Sequence, residues 1–238
     1  MKKILFYTLM LCAGMTGLTS CNDDEDQLTD SRLTYYPVLE LNGDEVVTVP
    51  VGTAYNEQSC TATMQGEDCS SKVVISGAVD TNTIGLYTVY YSLTNSDGFS
   101  SSTSRTVIVY DPTITTDISG TYTVQEGTYR NYNGKLTAFA GYTVDIEKVA
   151  PGIFYVSDFL AGYYDQRAGY GENYACTGYM NLNSDNTLKL LSSSVAGWGD
   201  SLEKLDNGTY DPATGEVNFT ATYVSMDFVV KLKKMIKP

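Results

Sequence analysis

The sequence predicts an all-β protein with two β-domains in series: a β-sandwich over residues 35–111, then an antiparallel β-barrel or curved β-sandwich of about eight strands over residues 112–238. The first observation is composition, because the chain holds 20 Tyr, 7 Phe and 1 Trp beside many Thr and Val, and these residues favour strands. The second is pattern. Short alternating runs are bounded by Gly, Pro, Asn and Asp, and no long stretch has a helical period.

The chain begins with a segment that is not part of either domain. Two lysines precede an apolar stretch over residues 4–18, which is typical of a secretory signal and is shorter than the roughly 20 apolar residues of a membrane span. Leu18-Thr19-Ser20-Cys21 resembles a bacterial lipobox. The resemblance implies a lipoprotein signal peptide over residues 1–20 and acylation of Cys21, which would attach the protein to a membrane. The alternative is an ordinary signal peptide followed by a chance cysteine.

An acidic run follows the cysteine at once, within a predicted tether over residues 21–34. Asn22-Asp23-Asp24-Glu25-Asp26-Gln27 resembles the acidic export signal of Bacteroidota lipoproteins, which implies an outer-membrane location facing the cell exterior. Attachment that faces the periplasm is the rival location. A block of like charges also repels itself and packs poorly, so a solvated tether is expected in either case.

Charge and composition exclude several function classes. The formal net charge is −13, so nucleic acids would be repelled, and we expect no nucleic-acid partner. The chain has no His, which excludes Ser-His-Asp and Cys-His catalysis and imidazole metal sites. We expect no enzyme activity and no cofactor or metal.

Three cysteines remain after Cys12 in the signal and Cys21. Cys60 and Cys69 are near enough in sequence to face each other across a hairpin, so they form either a disulfide in an oxidising compartment or two small buried thiols. Cys176 has no strongly basic neighbours in sequence and is expected to be a buried, inert thiol.

The first domain carries a recognisable set of motifs. They are Gly52-x-x-Tyr55, Gly85-x-Tyr87-x-Val89-x-Tyr91, Asn95-x-x-Gly98 and Arg105-Thr106-Val107-Ile108-Val109. Together they resemble the bacterial Ig-like domains of surface lipoproteins. The resemblance implies a sandwich in which Tyr87 forms a tyrosine corner with upstream backbone while Val89 enters the core. Such modules usually serve as spacers or interaction units.

The second domain shows repeated hairpin signals from residue 120 to the C-terminus. Asn133-Gly134 and Asp211-Pro212-Ala213-Thr214-Gly215 are strong turn sequences. A meander of this size tends to curl or close, because closure removes exposed edges. The start Gly120-x-Tyr122 is loosely similar to lipocalin-like barrels. The two-domain layout resembles Bacteroidota surface lipoproteins of uncharacterised function, some encoded with polysaccharide-uptake machinery.

A long Gly- and Tyr-rich segment over residues 158–174 interrupts these strands, and it is the candidate binding site. Sugars bind to flat aromatic faces beside planar polar groups, and both are present here. The candidate ligand-binding residues are Tyr163, Tyr164, Asp165, Arg167, Tyr170 and Tyr174, with Trp198 from a second loop. The alternative is that these aromatic residues plug the barrel mouth or pack onto the neighbouring domain.

Two further motifs have simpler explanations. Asn181-x-Asn183-x-Asp185 has the spacing of the first ligands of a calcium loop but lacks the later Gly and Glu, so a hairpin turn is expected. Asp158 with Asp165, or Glu172 with Asp200, would be the carboxylate pairs of a glycosidase.

The sequence therefore predicts a lipid-anchored, cell-surface binding protein, with a glycan linked to polysaccharide uptake as the expected ligand. The alternative is a structural or adhesion accessory that contacts another outer-membrane protein. A carboxylate-based glycosidase is the third hypothesis.

Overall fold

The computed structural model describes residues 33–235. The predicted signal peptide, Cys21 and the tether up to residue 32 lie outside these residues. The all-β fold class is confirmed, with an Ig-like N-terminal domain and a C-terminal sheet that curls into a half-barrel. No helix between residues 33 and 235 is long and apolar enough to cross a membrane.

The Ig-like domain is a sandwich of two sheets. Its strands are β1 (Val38–Leu41), β2 (Val46–Pro50), β3 (Cys60–Met64), β4 (Glu67–Asp68), β5 (Val74–Ser76), β6 (Gly85–Thr94) and β7 (Ser100–Tyr110). One sheet has the order β1-β3-β4, and the other has the order β2-β7-β6-β5. Alternation along β6 and β7 places Val89, Tyr91 and Val107 in the core between the sheets, as a period of two requires.

A buried charge network lies in this core. Arg105 is fully buried, and its Nη1 donates to Glu57 Oε1 at 3.0 Å and to the Tyr91 hydroxyl at 3.1 Å. Its other nitrogens donate to the carbonyl oxygens of Asn42 and Asp44. The Glu57 carboxylate also accepts hydrogen bonds from Tyr55 and Tyr91. Each of the three guanidinium nitrogens therefore has at least one acceptor, which offsets the cost of burying the charge.

Both domains contain a tyrosine that is bonded back to the backbone four residues earlier. Tyr87 donates to the Thr83 carbonyl at 2.8 Å, so the predicted tyrosine corner is present, and Val89 is in the core. Tyr122 donates in the same way to the Ile118 carbonyl at 2.6 Å, with the whole side chain buried. The Gly-x-Tyr motif thus has the same role in both domains, because its tyrosine hydroxyl holds the backbone that leads into the strand.

The C-terminal domain is one large antiparallel sheet. Its strands are β8 (Gly120–Val124), β9 (Tyr129–Tyr132), β10 (Lys135–Ala138), β11 (Thr143–Ala150), β12 (Ile153–Val156), β13 (Cys176–Leu182), β14 (Leu188–Val195), β15 (Lys204–Asp211), β16 (Glu216–Tyr223) and β17 (Met226–Lys234). Eight of them follow the order β15-β16-β17-β8-β11-β12-β13-β14, and the β9–β10 hairpin pairs with β17 beside β8.

The sheet curls until its two end strands approach each other. An isolated bridge between Thr187, just before β14, and Thr209 of β15 links these end strands, and no continuous ladder pairs them within residues 33–235. The curl encloses a core that includes Phe154, Phe219 and Phe228. The hairpin turn predicted at Asn133-Gly134 is present between β9 and β10, and both of its residues have positive φ.

The two domains contact each other through apolar side chains. Ile108 of β7 is buried together with Ala150 and Ile153 at the β11–β12 turn, and Leu86 and Tyr179 pack around them. None of the loop aromatic residues from 158–174 belongs to this cluster. The alternative that they pack onto the neighbouring domain therefore does not describe this interface.

The three described cysteines are free and buried. Cys60 packs in the main sandwich core, whereas Cys69 packs with Ala62 and Leu93 in a smaller cluster. Of the two alternatives for this pair, the structure has the buried thiols and not the disulfide. Burial raises the pKa of Cys176 to about 12, which agrees with an inert thiol.

Replacing Tyr122 by Phe is expected to destabilise the C-terminal domain by about 1–2 kcal/mol, because the Ile118 carbonyl loses its buried donor. The measurement is chemical unfolding followed by circular dichroism. Tyr132→Phe is the matched control, since Tyr132 is exposed in the same domain, and its effect should stay within about 0.5 kcal/mol. Equal effects for the two variants would contradict the role given to Tyr122.

Replacing Glu57 by Gln is expected to change how stability depends on pH. Burial opposes ionisation of Glu57, but hydrogen bonds from Tyr91, Tyr55 and the Ser59 amide outweigh it and hold its pKa below the ordinary 4.5. The unfolded chain then binds more protons, so this stabilisation is present above pH 4.5 and is lost as the pH falls through the folded-state pKa.

The free energy of unfolding of Glu57→Gln should therefore be about 3 kcal/mol lower than that of the parent at neutral pH. On acidification, the stability of the variant should fall less than that of the parent. Unfolding titrations from about pH 7 to pH 3 test this. Glu40→Gln, at an exposed position on β1, serves as the control. An acid profile for Glu57→Gln as steep as that of the parent would show that Glu57 is not the titrating group.

Candidate functional site

One buried carboxylate fixes the long loop between β12 and β13. Asp158, which is only 2% exposed, accepts N–H hydrogen bonds from Leu160 (2.8 Å), Gly162 (2.6 Å) and Cys176 (2.8 Å). Burial raises the pKa of Asp158 to about 7, while the three amide donors act in the opposite direction. Its two oxygens thus join the start of the loop to its end.

The loop is not irregular throughout, although the sequence predicted no helix. Tyr163–Arg167 form a single π-helical turn, and Glu172–Tyr174 form a 3-10 turn. Gly162 precedes the first turn with φ +78°, and a Cβ there would lie 2.7 Å from Tyr142, so only glycine fits. Gln166 then fastens the turn to β11 by exchanging hydrogen bonds with both backbone groups of Thr143.

A second, shorter loop places Trp198 beside this one. Val195 and Asp200 pair across its base, and the Gly197 amide donates to the Asn173 carbonyl at 2.6 Å. A Cβ on Gly197 would lie 2.7 Å from the Tyr174 ring. The absence of a side chain at Gly197 therefore allows the two loops to touch.

The aromatic rings of these loops form one cluster around Trp198. The Trp198 ring lies edge-on to Tyr164 (4.9 Å between centroids, 87°) and near Tyr174 (4.8 Å, 62°), and it is close to parallel with Tyr223 (6.0 Å, 28°). Tyr164 and Tyr170 are nearly parallel at 6.2 Å. Trp198 and Tyr170 remain 43% and 55% exposed, so they keep surface free for a ligand.

Two adjoining clefts are lined by this cluster. Cleft A, of about 330 Å³, is lined by Tyr170, Tyr174 and Trp198. Cleft B, of about 380 Å³, shares Tyr170 and Trp198 with it. The remaining lining residues of cleft B are Tyr164, Asp200, Tyr223, Val224 and Met226.

Three of the residues in cleft B were missed by sequence analysis. Tyr223 and Met226 end β16 and begin β17, where they continue an ordinary strand pattern, and Val224 lies in the turn between them. Val224 and Ser225 have φ values of +48° and +58°. A positive φ is rare for a β-branched residue and strains the backbone. Because Val is disfavoured at positive φ, the sequence pattern contains no signal that singles out this turn as part of a site.

The polar group of cleft B is a carboxylate with a hydroxyl donor beside it. The Tyr223 hydroxyl donates to both oxygens of Asp200, at 2.9 and 3.0 Å. Burial, and then this hydrogen bond, raises the pKa of Tyr223. Asp200 is exposed, so its carboxylate has lone pairs left that can accept hydrogen bonds from a ligand.

The structure separates the sequence-predicted site residues into two groups. Tyr164, Tyr170, Tyr174 and Trp198 line the clefts. Tyr163 is only 6% exposed and packs against Phe139 and Phe228, so it supports the cluster from below.

The polar candidates of the loop do not line either cleft. The guanidinium of Arg167 lies 4.9 Å from the Tyr163 ring, and that of Arg130 lies at the same distance. Asp165 has one buried oxygen without a hydrogen-bond partner. Arg167 of the loop and Arg130 of β9 thus lie against Tyr163, the buried ring of the cluster.

Asp158 and the calcium-like motif have structural roles. Asp158 is buried with both oxygens occupied, so it cannot reach a substrate as half of a glycosidase pair. Asn183 and Asp185 form the β13–β14 turn by bonding to Thr187, as the hairpin prediction stated. Among residues 33–235, no three His, Cys, Asp or Glu side chains are grouped to hold a metal ion.

Comparisons with known proteins match each domain to a family model. The family model for a bacterial surface protein Ig-like domain matches residues 39–109. A second family model, for a C-terminal domain, matches residues 111–234. The chain thus combines a surface-type Ig-like module with a C-terminal β-domain that has a family of its own.

The family is defined more closely by one solved relative. The lipoprotein BT2262 from Bacteroides thetaiotaomicron is 44% identical, with 84% of this chain and 100% of that chain covered and a TM-score of 0.48. On the strength of that identity and coverage, the chain belongs to the same family as this lipoprotein. No curated protein matches the chain.

More distant structural matches come from ZmpB of Clostridium perfringens. Its M60 catalytic domain with the CBM51-1 and CBM51-2 domains is 22% identical, covering 52% of this chain and 14% of that chain at a TM-score of 0.29. A structure of CBM51-2 in complex with GlcNAc, with INT domains, is also 22% identical, covering 50% and 28% at a TM-score of 0.27. Likeness at this level carries no inference for the present chain.

Replacing Asp158 by Ala is expected to destabilise the C-terminal domain by about 3 kcal/mol or more, because three buried amides lose their acceptor. Asp165→Ala, in the same loop, is the control, since no hydrogen-bond partner holds its buried oxygen. Denaturant unfolding measures the stability of each variant. If Asp158→Ala were as stable as Asp165→Ala, the carboxylate would not be what fixes the loop.

Proposed function

We propose that this protein is a non-catalytic, lipid-anchored binding protein of the cell surface, whose clefts A and B bind a glycan for polysaccharide uptake. The observation that carries the proposal is the pair of clefts around Trp198, with exposed faces on Trp198 and Tyr170. Apolar C–H faces of sugar rings pack on aromatic rings of this kind.

Hydroxyl recognition has its own groups beside the rings. Asp200 offers acceptor lone pairs, and its bond from Tyr223 holds the carboxylate in place. A sugar hydroxyl that donates to a carboxylate makes a charge-assisted hydrogen bond, which is stronger than a neutral one. Stacking would then supply much of the affinity, and Asp200 would select the orientation of the sugar.

A concave site favours a glycan over the alternative of a protein partner. Protein interfaces of standard size need roughly 800 Å² from each partner, whereas two clefts of about 330 and 380 Å³ have the dimensions of small-ligand sites. An adhesion accessory remains the second hypothesis, because Trp and Tyr are also common anchors in protein interfaces.

The proposed membrane anchor is the lipid on Cys21. Acylation of Cys21 would hold the chain at the outer membrane, with the Ig-like domain as a spacer and the C-terminal domain carrying the clefts. Membership in a lipoprotein family supports this arrangement. A surface location would bring the clefts to extracellular polysaccharide.

Trp198→Ala and Tyr170→Ala are each expected to lower glycan affinity at least about tenfold, because each removes a stacking face worth about 1.4 kcal/mol. The measurement is calorimetry of the full chain in detergent against glycans first identified on an array. Tyr90→Ala removes an equally exposed ring from the Ig-like domain and is the matched control. Unchanged binding by both site variants would exclude these clefts, and absence of any glycan binding by the folded parent would exclude the function.

A further inference from the structure

The two clefts form one continuous surface rather than two separate sites. Tyr170 and Trp198 line both of them. The Trp198 ring lies 4.8 Å from Tyr174, which lines cleft A only, and 6.0 Å from Tyr223, which lines cleft B only. Trp198 therefore stands at the junction, where a molecule in one cleft can continue into the other.

Each cleft by itself is small. Volumes of about 330 and 380 Å³ are near the lower limit of known ligand sites, about 300 Å³. The clefts also differ in lining: cleft A consists of three aromatic rings, whereas cleft B adds a carboxylate and the apolar side chains of Val224 and Met226. Two different neighbouring environments suit two successive units of a chain better than one isolated ring.

The charge of this surface selects against acidic ligands. Among the described residues that line the clefts, none is Lys or Arg, and the charged one is Asp200. The chain as a whole has a formal net charge of −13. A uronate or sulfate placed here would meet the Asp200 carboxylate, and no cationic side chain among the lining residues would offset that repulsion, which disfavours binding.

From these observations we propose that clefts A and B together bind a neutral oligosaccharide of at least two sugar units, with one unit in each cleft and Trp198 at the linkage between them. This inference rests on the proposed glycan-binding function. It specifies the ligand class, since free monosaccharides would fill one cleft only and acidic polysaccharides would be repelled.

The test is a glycan array probed with the full chain in detergent. The array carries neutral gluco-, manno-, galacto- and xylo-oligosaccharides of one to six units, together with uronic acid oligosaccharides of the same lengths. Binding is expected from two units upward in at least one neutral series, at least tenfold above the monosaccharide of that series. The uronic acid series should bind more weakly at low salt, where charge repulsion is least screened.

Two variants separate the clefts. Tyr174→Ala changes cleft A and Met226→Ala changes cleft B, and each should lower oligosaccharide binding towards the monosaccharide level while the protein remains folded by circular dichroism. Tyr90→Ala should bind as the parent does.

The outcomes distinguish this inference from the function on which it rests. Monosaccharides that bind as tightly as their oligomers, oligosaccharide binding unchanged by both cleft variants, or a preference for uronic acid oligosaccharides would overturn the inference and leave glycan binding intact. No signal from any glycan with the folded parent would overturn the proposed function itself.

Discussion

The candidate site depends on the burial of one carboxylate. Asp158 accepts amide hydrogen bonds from both ends of the loop that carries the Tyr residues, so the loop has a fixed start and a fixed return. A loop of this length without such a bond would pay a large conformational entropy to hold its rings in place. The buried Asp158 side chain is therefore the constraint that turns a Gly- and Tyr-rich segment into a defined surface.

Aromatic packing continues from that fixed base to the exposed face. Tyr163 fills the core beneath, Tyr164 packs on it at 5.0 Å, and Trp198 packs on Tyr164. Edge-to-face contacts of this kind stabilise the rings without covering all of their faces. The exposed surface is thus supported from the hydrophobic core, and ligand contacts would be made by rings that are already positioned, which lowers the entropy cost of binding.

The sequence predicts the strands well, because alternation and turn residues act locally. It identifies Tyr87 as a corner, and the loops that carry Trp198 and Tyr170. Whether Tyr163 or Tyr164 points inward depends on the π-helical turn, which no short-range pattern encodes. Tyr223 joins the site only because the sheet curls and brings a distant hairpin beside the loop. Tertiary contacts of this kind are absent from any single stretch of sequence.

Arg105 is the opposite case, because the sequence pattern already indicates that its side chain is buried. It shares the inward face of β7 with Val107 and Val109, so a period of two already places its charge in the core.

The most direct measurement uses the fact that Trp198 is the single tryptophan of the chain. Its fluorescence reports on the junction of the two clefts without any substitution. Titration with an array-positive neutral oligosaccharide should shift the emission to shorter wavelength and protect Trp198 from acrylamide quenching, because a sugar ring would cover its exposed face. Binding detected by calorimetry with unchanged emission and unchanged quenching would contradict the account.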